Sequence, residues 1–180
     1  MTAATTSQTS GPFWHLIDFP EWADLLRADG PNAGIQVGER IVLTGRITDG
    51  ETAPVPDAMV EIWQADPEGR YDGAFHGFGR CATDPQGMFR FVTLKPGAVP
   101  GRGNQTQAPH VVITLFARGL QKQLVTRLYF AGEALNGTDS VLQSIDPARR
   151  GTLIAHQATP GEWRLDIRLQ GEGETVFLDV

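Results

Sequence analysis

A single cysteine among 180 residues leaves no disulfide for the chain to form with itself, and Cys81 sits between Arg80 and Ala82 with no local base to make it a nucleophile. A buried, inert thiol and a reducing, cytoplasmic setting are the expectation. The four histidines, His15, His76, His110 and His156, are dispersed, and no two stand at i+2 or i+4. That spacing rules out a local metal-binding strand or helix motif. No apolar run is long enough to span a bilayer. Residues 1–10 are rich in Thr, Ser and Ala and lack the basic start and apolar core of a secretion signal. The formal charge of −6 gives no electrostatic footprint for nucleic acid or an anionic membrane, so neither is expected as a partner. Gly-x-Ser-x-Gly, Gly-x-x-x-x-Gly-Lys and Gly-x-Gly-x-x-Gly are all missing, and Gly101-Arg102-Gly103 lacks the flanking strand and helix of a phosphate cradle.

What the chain does have is turns and alternation. Its 21 Gly and 12 Pro accompany 41% apolar residues, and 180 residues suffice for one domain with a sizeable core. Ile41, Leu43 and Ile47 share a parity with Gly45 while Thr44 and Arg46 take the other, which predicts a half-buried strand over 41–47 closed by Asp49-Gly50. The same period predicts strands over 58–64, 88–94, 111–117 and 124–130. Last comes a strand with Trp163, Leu165, Ile167 and Leu169 on one face, and residues 175–178 are expected to return as its partner. Helix is minor. Pro20 can open a turn over 21–27, where Trp22, Leu25 and Leu26 stand at i, i+3 and i+4, and Asp146-Pro147 can open another reaching Ala155. The expectation is an all-β, single-domain β-sandwich with a few short helices, residues 1–38 forming an N-terminal arm and short helix and residues 39–180 the sandwich.

Five runs then stand out in order. They are Val60-Glu61-Ile62-Trp63-Gln64-Ala65-Asp66-Pro67-Glu68-Gly69-Arg70-Tyr71, Gly79-Arg80-Cys81-Ala82-Thr83-Asp84, Thr93-Leu94-Lys95-Pro96-Gly97, Ala108-Pro109-His110 and Thr126-Arg127-Leu128-Tyr129-Phe130. Together they resemble the landmarks of the intradiol ring-cleavage dioxygenases over about residues 40–170. In that family the catalytic chain holds iron(III) through two tyrosines and two histidines. Phenolate oxygen is a hard anionic donor suited to a ferric ion, and imidazole completes the shell.

The resemblance places the first tyrosine at Tyr71 and the second at Val99, and it places the two histidines at His110 and Val112. Valine has no lone pair, so two of four donors are gone, and Gln107 stands where the catalytic chain carries a supporting arginine. A site that loses half its inner shell does not hold its metal. The expectation is that this chain binds no metal and that Tyr71 and His110 persist as buried, hydrogen-bonded remnants.

The protocatechuate-type branch of the family is built from two homologous sandwiches, an α chain without iron and a β chain that carries Fe(III). The run Ser7-Gln8-Thr9-Ser10-Gly11-Pro12-Phe13 resembles the α-type arm, and Leu115-Phe116-Ala117-Arg118-Gly119 resembles an α-type strand. The resemblance implies a homologous β subunit as partner, in a higher hetero-oligomer of α/β units, and an aromatic catechol carboxylate as substrate. Gly11, Pro12 and Phe13 would line the partner's pocket, and Arg118 would face the substrate carboxylate, where a guanidinium fork suits an anion. Read without the resemblance, Arg118 is a solvated strand-end charge and Gly11-Pro12 an ordinary turn. Two other readings stay open. One is a non-enzymatic, self-associating β-sandwich module. The other is a self-sufficient dioxygenase recruiting His76 or His156 as replacement ligands.

Overall fold

The computed structural model describes residues 18–101 and 103–179, so Gly11, Pro12 and Phe13 lie outside the described residues. Strand β1 (Arg40–Thr48) shows the two-residue period that its sequence dictates, with Ile41, Leu43, Gly45 and Ile47 turned inward. It pairs antiparallel with β4 (Met88–Leu94) and parallel with β10 (Glu162–Arg164) and β11 (Ile167–Arg168). A second leaf runs in the order β3 (Phe78–Ala82), β2 (Met59–Gln64), β7 (His110–Phe116), β8 (Leu124–Phe130), antiparallel throughout. Strand β9 (Ile154–Thr159) joins the leaves, pairing parallel with β8 and antiparallel with β10. The remaining two strands, β5 (Val99–Pro100) and β6 (Thr106–Gln107), form a small ribbon of their own.

The inward side chains of both leaves meet in one core. Ile41, Leu43, Ile47, Phe89 and Phe91 come from one leaf, and Val60, Ile62, Val111, Ile113, Leu115, Leu128 and Phe130 from the other. Each such side chain contributes roughly 1.5–3 kcal/mol through burial. Phe130 meets Trp163 edge-on at 5.1 Å across the sandwich. The expected all-β sandwich is therefore what forms.

Three local expectations need correction. The turn opened by Pro20 stops as a single 3-10 turn, Pro20–Ala23, because the Leu25 amide is taken by the Val92 carbonyl at 2.9 Å. Leu25 is thereby pulled into the core instead of continuing a helix. Asp146 does cap a turn, its carboxylate accepting from the Ala148 amide. The 3-10 helix nevertheless ends at Leu153, since Ile154 and Ala155 are claimed by β8 as the start of β9. Residues 175–178 do not return as a full strand. Thr175 bonds Arg168 in both directions, and Leu178 then bridges to Val125 at the far leaf.

Candidate functional site

The outward face of the β3–β2–β7–β8 leaf carries the positions that the sequence singles out. Strand register sets Phe78, Trp63, Val112 and Arg127 in one row across the four strands, and His110 opposite Tyr129 in a neighbouring row. One end of the face is covered by α1 (Ser140–Ser144) and the turns around it, which bury Ala108, Tyr129, Leu142 and Leu153 in a second, smaller cluster. The other end is open, with Trp63 43% and Tyr71 44% exposed.

Tyr71 is delivered to this face by the Asp66 loop. The Asp66 carboxylate accepts from the Glu68 and Arg70 amides at 2.9 Å, and its Oδ2 accepts from Arg70 Nε at 3.1 Å. Burial pushes this acid upward, but those donors outweigh it and hold the carboxyl below its ordinary range. Gly69 is obligatory in the loop. It has φ +80°, and a Cβ there would meet the Ala98 carbonyl oxygen at 1.8 Å. The loop throws Tyr71 onto the Trp63 indole, with ring centroids 5.8 Å apart and planes 14° from parallel. Tyr71 is thus half-exposed and stacked, and its hydroxyl has no hydrogen-bond partner among the described residues. The expected buried, hydrogen-bonded tyrosine is not found, because the loop ends at the open end of the face.

His110 does match that expectation. It is buried, and its Nδ1 lies 2.7 Å from the Ala108 carbonyl, which can only accept, so the proton sits on Nδ1. Burial first, and the Arg127 charge second, depress its pKa and favour the neutral ring. Beside it runs a polar chain that joins Gln107, Arg127 and Tyr129, all named from the sequence, to Asp139, which was not. Arg127 Nη1 donates to Gln107 Oε1 at 2.8 Å and to the Tyr129 hydroxyl at 3.3 Å, and Tyr129 donates to Asp139 Oδ1 at 3.1 Å. Asp139 also accepts from the Ala108, Val141 and Leu142 amides. The only advance signal for Asp139 was its place before Ser140-Val141-Leu142, the pattern of a helix N-cap.

Val99 is buried on β5 and pairs with Gln107, which bonds Arg127, so the structure brings Val99, His110 and Val112 into the neighbourhood of one guanidinium. Iron is the family's metal, and the residues here do not fit it. Two of the four family positions present methyl groups, and the charge of Arg127, close enough to depress the pKa of His110, would oppose a second cation beside it. Among the described residues no cluster of three His, Cys, Asp or Glu side chains could hold a metal ion.

Arg118 lies elsewhere. It follows the opposite end of β7 from His110, about 25 Å away at the rise of an extended chain. Its side chain is 73% exposed and lies 3.6 Å from Asp57 Oδ2. Cys81 is buried on β3, and burial pushes its thiol up to about 12. No described helix is long and apolar enough to cross a membrane.

Comparison with known proteins gives a consistent picture. A family profile described as dioxygenase matches residues 20–171. The chain is 42% identical to the protocatechuate 3,4-dioxygenase alpha chain of Pseudomonas putida, over 97% of this chain and 96% of that one. It is 37% identical to the corresponding alpha chain of Burkholderia cepacia, over 98% and 97%. The beta chain from Burkholderia cepacia is 40% identical, over 68% of this chain and 57% of that one. Among solved structures, the dioxygenase domain of a carbohydrate-binding fusion protein from Streptomyces sp. SirexAA-E superposes with a TM-score of 0.63 at 27% identity. That match covers 97% of this chain and 100% of the other. With the fold, the ordered landmarks and these likenesses together, the chain belongs to the intradiol dioxygenase family.

Proposed function

We propose that this chain is the α subunit of a protocatechuate 3,4-dioxygenase, which completes the substrate pocket of a homologous β chain in a higher hetero-oligomer of α/β units. The assembly cleaves protocatechuate with dioxygen to 3-carboxy-cis,cis-muconate. The observation that carries this reading is coverage. Likeness to two alpha chains runs over 97% and 98% of this chain, whereas likeness to a beta chain runs over 68%. The valines at 99 and 112 support the same division of labour, since they leave this chain without the donors that iron requires. Iron(III) on the β chain would supply activation of the catechol toward oxygen.

The contribution of this chain is then to bind and orient. Residues 1–38 act as an arm toward the partner, with Gly11, Pro12 and Phe13 packing on the aromatic ring. Arg118 takes the substrate carboxylate. Its exposure and its loose pairing with Asp57 support that role, because the fork can leave an exposed carboxylate for a better-matched anion at little cost.

The test is expression with and without an adjacent β-type chain, measuring iron content and protocatechuate consumption. Iron and activity are expected only in the co-purified pair. Stoichiometric iron and ring opening by the α chain alone would overturn the proposal, and a self-associated α chain that ignores its candidate partner would favour a binding module instead. Within the assembled enzyme, Arg118→Ala removes a charge-assisted contact of about 1.5–3 kcal/mol and is expected to raise KM roughly 10- to 100-fold with iron content unchanged. An unchanged KM removes Arg118 from the pocket.

A further inference from the structure

Between residues 18–23, the end of β3 and the outward side chains of β1 and β4 opens a cleft of about 560 Å³, within the roughly 300–1,000 Å³ usual for small-molecule sites. Its apolar lining comes from Pro20, Ala23, Met88 and Phe89, with the buried Cys81 beside them. It shares no residue with the face that carries Tyr71, Val99, His110 and Val112.

Two opposite charges in this lining are unpaired. Neither oxygen of Asp18 accepts a hydrogen bond among the described residues, and Oδ1 is out of reach of water as well. A carboxylate partly stripped of water and given no donor in exchange carries an uncompensated cost. Asp84, the other acid of the lining, is already occupied, its Oδ1 accepting from the Gln86 and Met88 amides at 2.9 Å. Arg90 stands opposite Thr44 on the outer side of β4, and both line the cleft. Its guanidinium has no acceptor among the described residues, whereas Arg46 and Arg164 on the same face are tied to the Gln86 carbonyl and to Asp166. Asp18 and Arg90 do not pair with each other, yet both adjoin Cys81, since the Arg90 amide bonds its sulfur and the Asp18 charge is felt at its thiol. The cleft therefore holds an anion and a cation apart around one residue, with apolar surface beside them.

We propose that this cleft binds a small zwitterion with an apolar body, an aliphatic α-amino acid. The ammonium lies on Asp18, the carboxylate on the fork of Arg90, and the side chain against Met88 and Phe89. Two protein charges gathered around one residue suit an ammonium and a carboxylate borne on one carbon. An amine without the carboxylate leaves Arg90 unanswered, an acid without the amine leaves Asp18 unanswered, and glycine leaves the apolar lining uncovered. The site discriminates by requiring all three. The inference does not rest on the function proposed above, so either can fail alone.

The experiment is a titration of the full-length chain with leucine, 3-methylbutylamine, 4-methylpentanoate and glycine, following the backbone amide resonances of Thr44 and Ala82 by NMR. Leucine is expected to bind saturably and to shift those resonances, with the other three each at least about tenfold weaker. Asp18→Asn is expected to weaken leucine by at least about tenfold and to leave 4-methylpentanoate unchanged, and Arg90→Gln to weaken leucine as much and to leave 3-methylbutylamine unchanged. Neither substitution removes a side-chain hydrogen bond or ion pair of the folded chain, so both variants are expected to keep the urea midpoint of the wild type. A lowered midpoint in either would show its charge already committed within the chain and overturn the proposal. So would an amine, an acid or glycine that binds as tightly as leucine, leucine binding that survives either substitution, or an absence of saturable binding.

Discussion

Replacing Asp139 with alanine tests how the outer face is held together. This carboxylate is fully buried and accepts four hydrogen bonds, from the amides of Ala108 at 2.8 Å, Val141 at 3.0 Å and Leu142 at 2.8 Å, and from the Tyr129 hydroxyl at 3.1 Å. Two of those amides are the orphan donors of α1, so the loss of the cap alone costs about 1 kcal/mol. The Ala108 amide and the Tyr129 hydroxyl become buried donors without acceptors, at roughly 1–3 kcal/mol each. Water admitted to the vacated space recovers part of this, which leaves an expected loss of about 3 kcal/mol, a large share of the roughly 5–15 kcal/mol that holds a domain folded. Asp139→Asn keeps the oxygen serving Val141, Leu142 and Tyr129 but turns an amide nitrogen toward the Ala108 N–H, so it should fall between wild type and Asp139→Ala. Urea unfolding of the chain at fixed concentration, with tryptophan fluorescence as the signal, reads these differences as midpoint shifts at constant slope. Tyr129→Phe combined with Asp139→Ala should cost less than the sum of the two, because the hydroxyl left stranded in one variant is gone in the other. A loss under about 0.5 kcal/mol for Asp139→Ala would refute the reasoning that this acid anchors the face.

Two further outcomes follow from titrating groups. Burial and Arg127 lower the folded pKa of His110 below its ordinary value near 6.5, so the unfolded chain binds the proton more readily. His110 then makes stability fall as pH drops below that ordinary value, until the folded pKa is passed. The slope is at most about 1.4 kcal/mol per pH unit, and His110→Gln should flatten the dependence between pH 7 and 5.5 in denaturant titrations. An unchanged slope in the variant would assign the effect to other groups. The Cys81 thiol, buried and raised to about 12, should react with an aromatic disulfide reagent at pH 8 only after urea unfolds the chain, and prompt labelling of the folded chain would contradict its place in the core.

The strands that could be read from the sequence are those whose burial alternates over a long stretch. For β4 and β8 the boundaries expected from parity are the ones that form, and β1 extends its expected span by one residue at each end. Strand β9 escaped because only Ala155 is buried among its six residues, so it has no hydrophobic period and is held by pairing to β8 and β10. Strand β3 escaped for a related reason. It interleaves outward Phe78 and Arg80 with inward Gly79 and Cys81, and Gly79 leaves room for Leu25, whose side chain lies 2.6 Å from where a Cβ would stand. The helical period of Trp22, Leu25 and Leu26 misled because it counts apolar residues and cannot see that Val92 offers the Leu25 amide a better partner. At the site, Tyr71 and His110 were found from the family pattern, but their environments were not. The Asp66 loop just before Tyr71 exposes one, and α1, some thirty residues beyond His110, buries the other.

The survival of the family landmarks in a chain lacking two metal-donor side chains has a physical cause, since most landmark residues build the frame. Gln64 joins the two leaves, donating to the Leu94 carbonyl at 2.7 Å and accepting from the Thr93 hydroxyl at 3.0 Å. The Gly97 amide bonds the Asp66 carbonyl, and a Cβ at Gly97 would meet the Pro67 carbonyl oxygen at 2.4 Å, so the first and third landmarks fit only each other. Lys95 pairs with Glu133 at 2.6 Å and lies over the Phe130 and Trp163 rings, linking the third landmark to the fifth. Thr83 bridges the Ala58 amide and the Val55 carbonyl, closing β3 onto the approach to β2. Losing donors at Val99 and Val112 removes none of these contacts, whereas losing Gln64, Gly69 or Gly97 would disturb the sandwich itself. Landmark matching therefore reports the fold, and the chemistry has to be read from the few positions that the frame leaves free to vary.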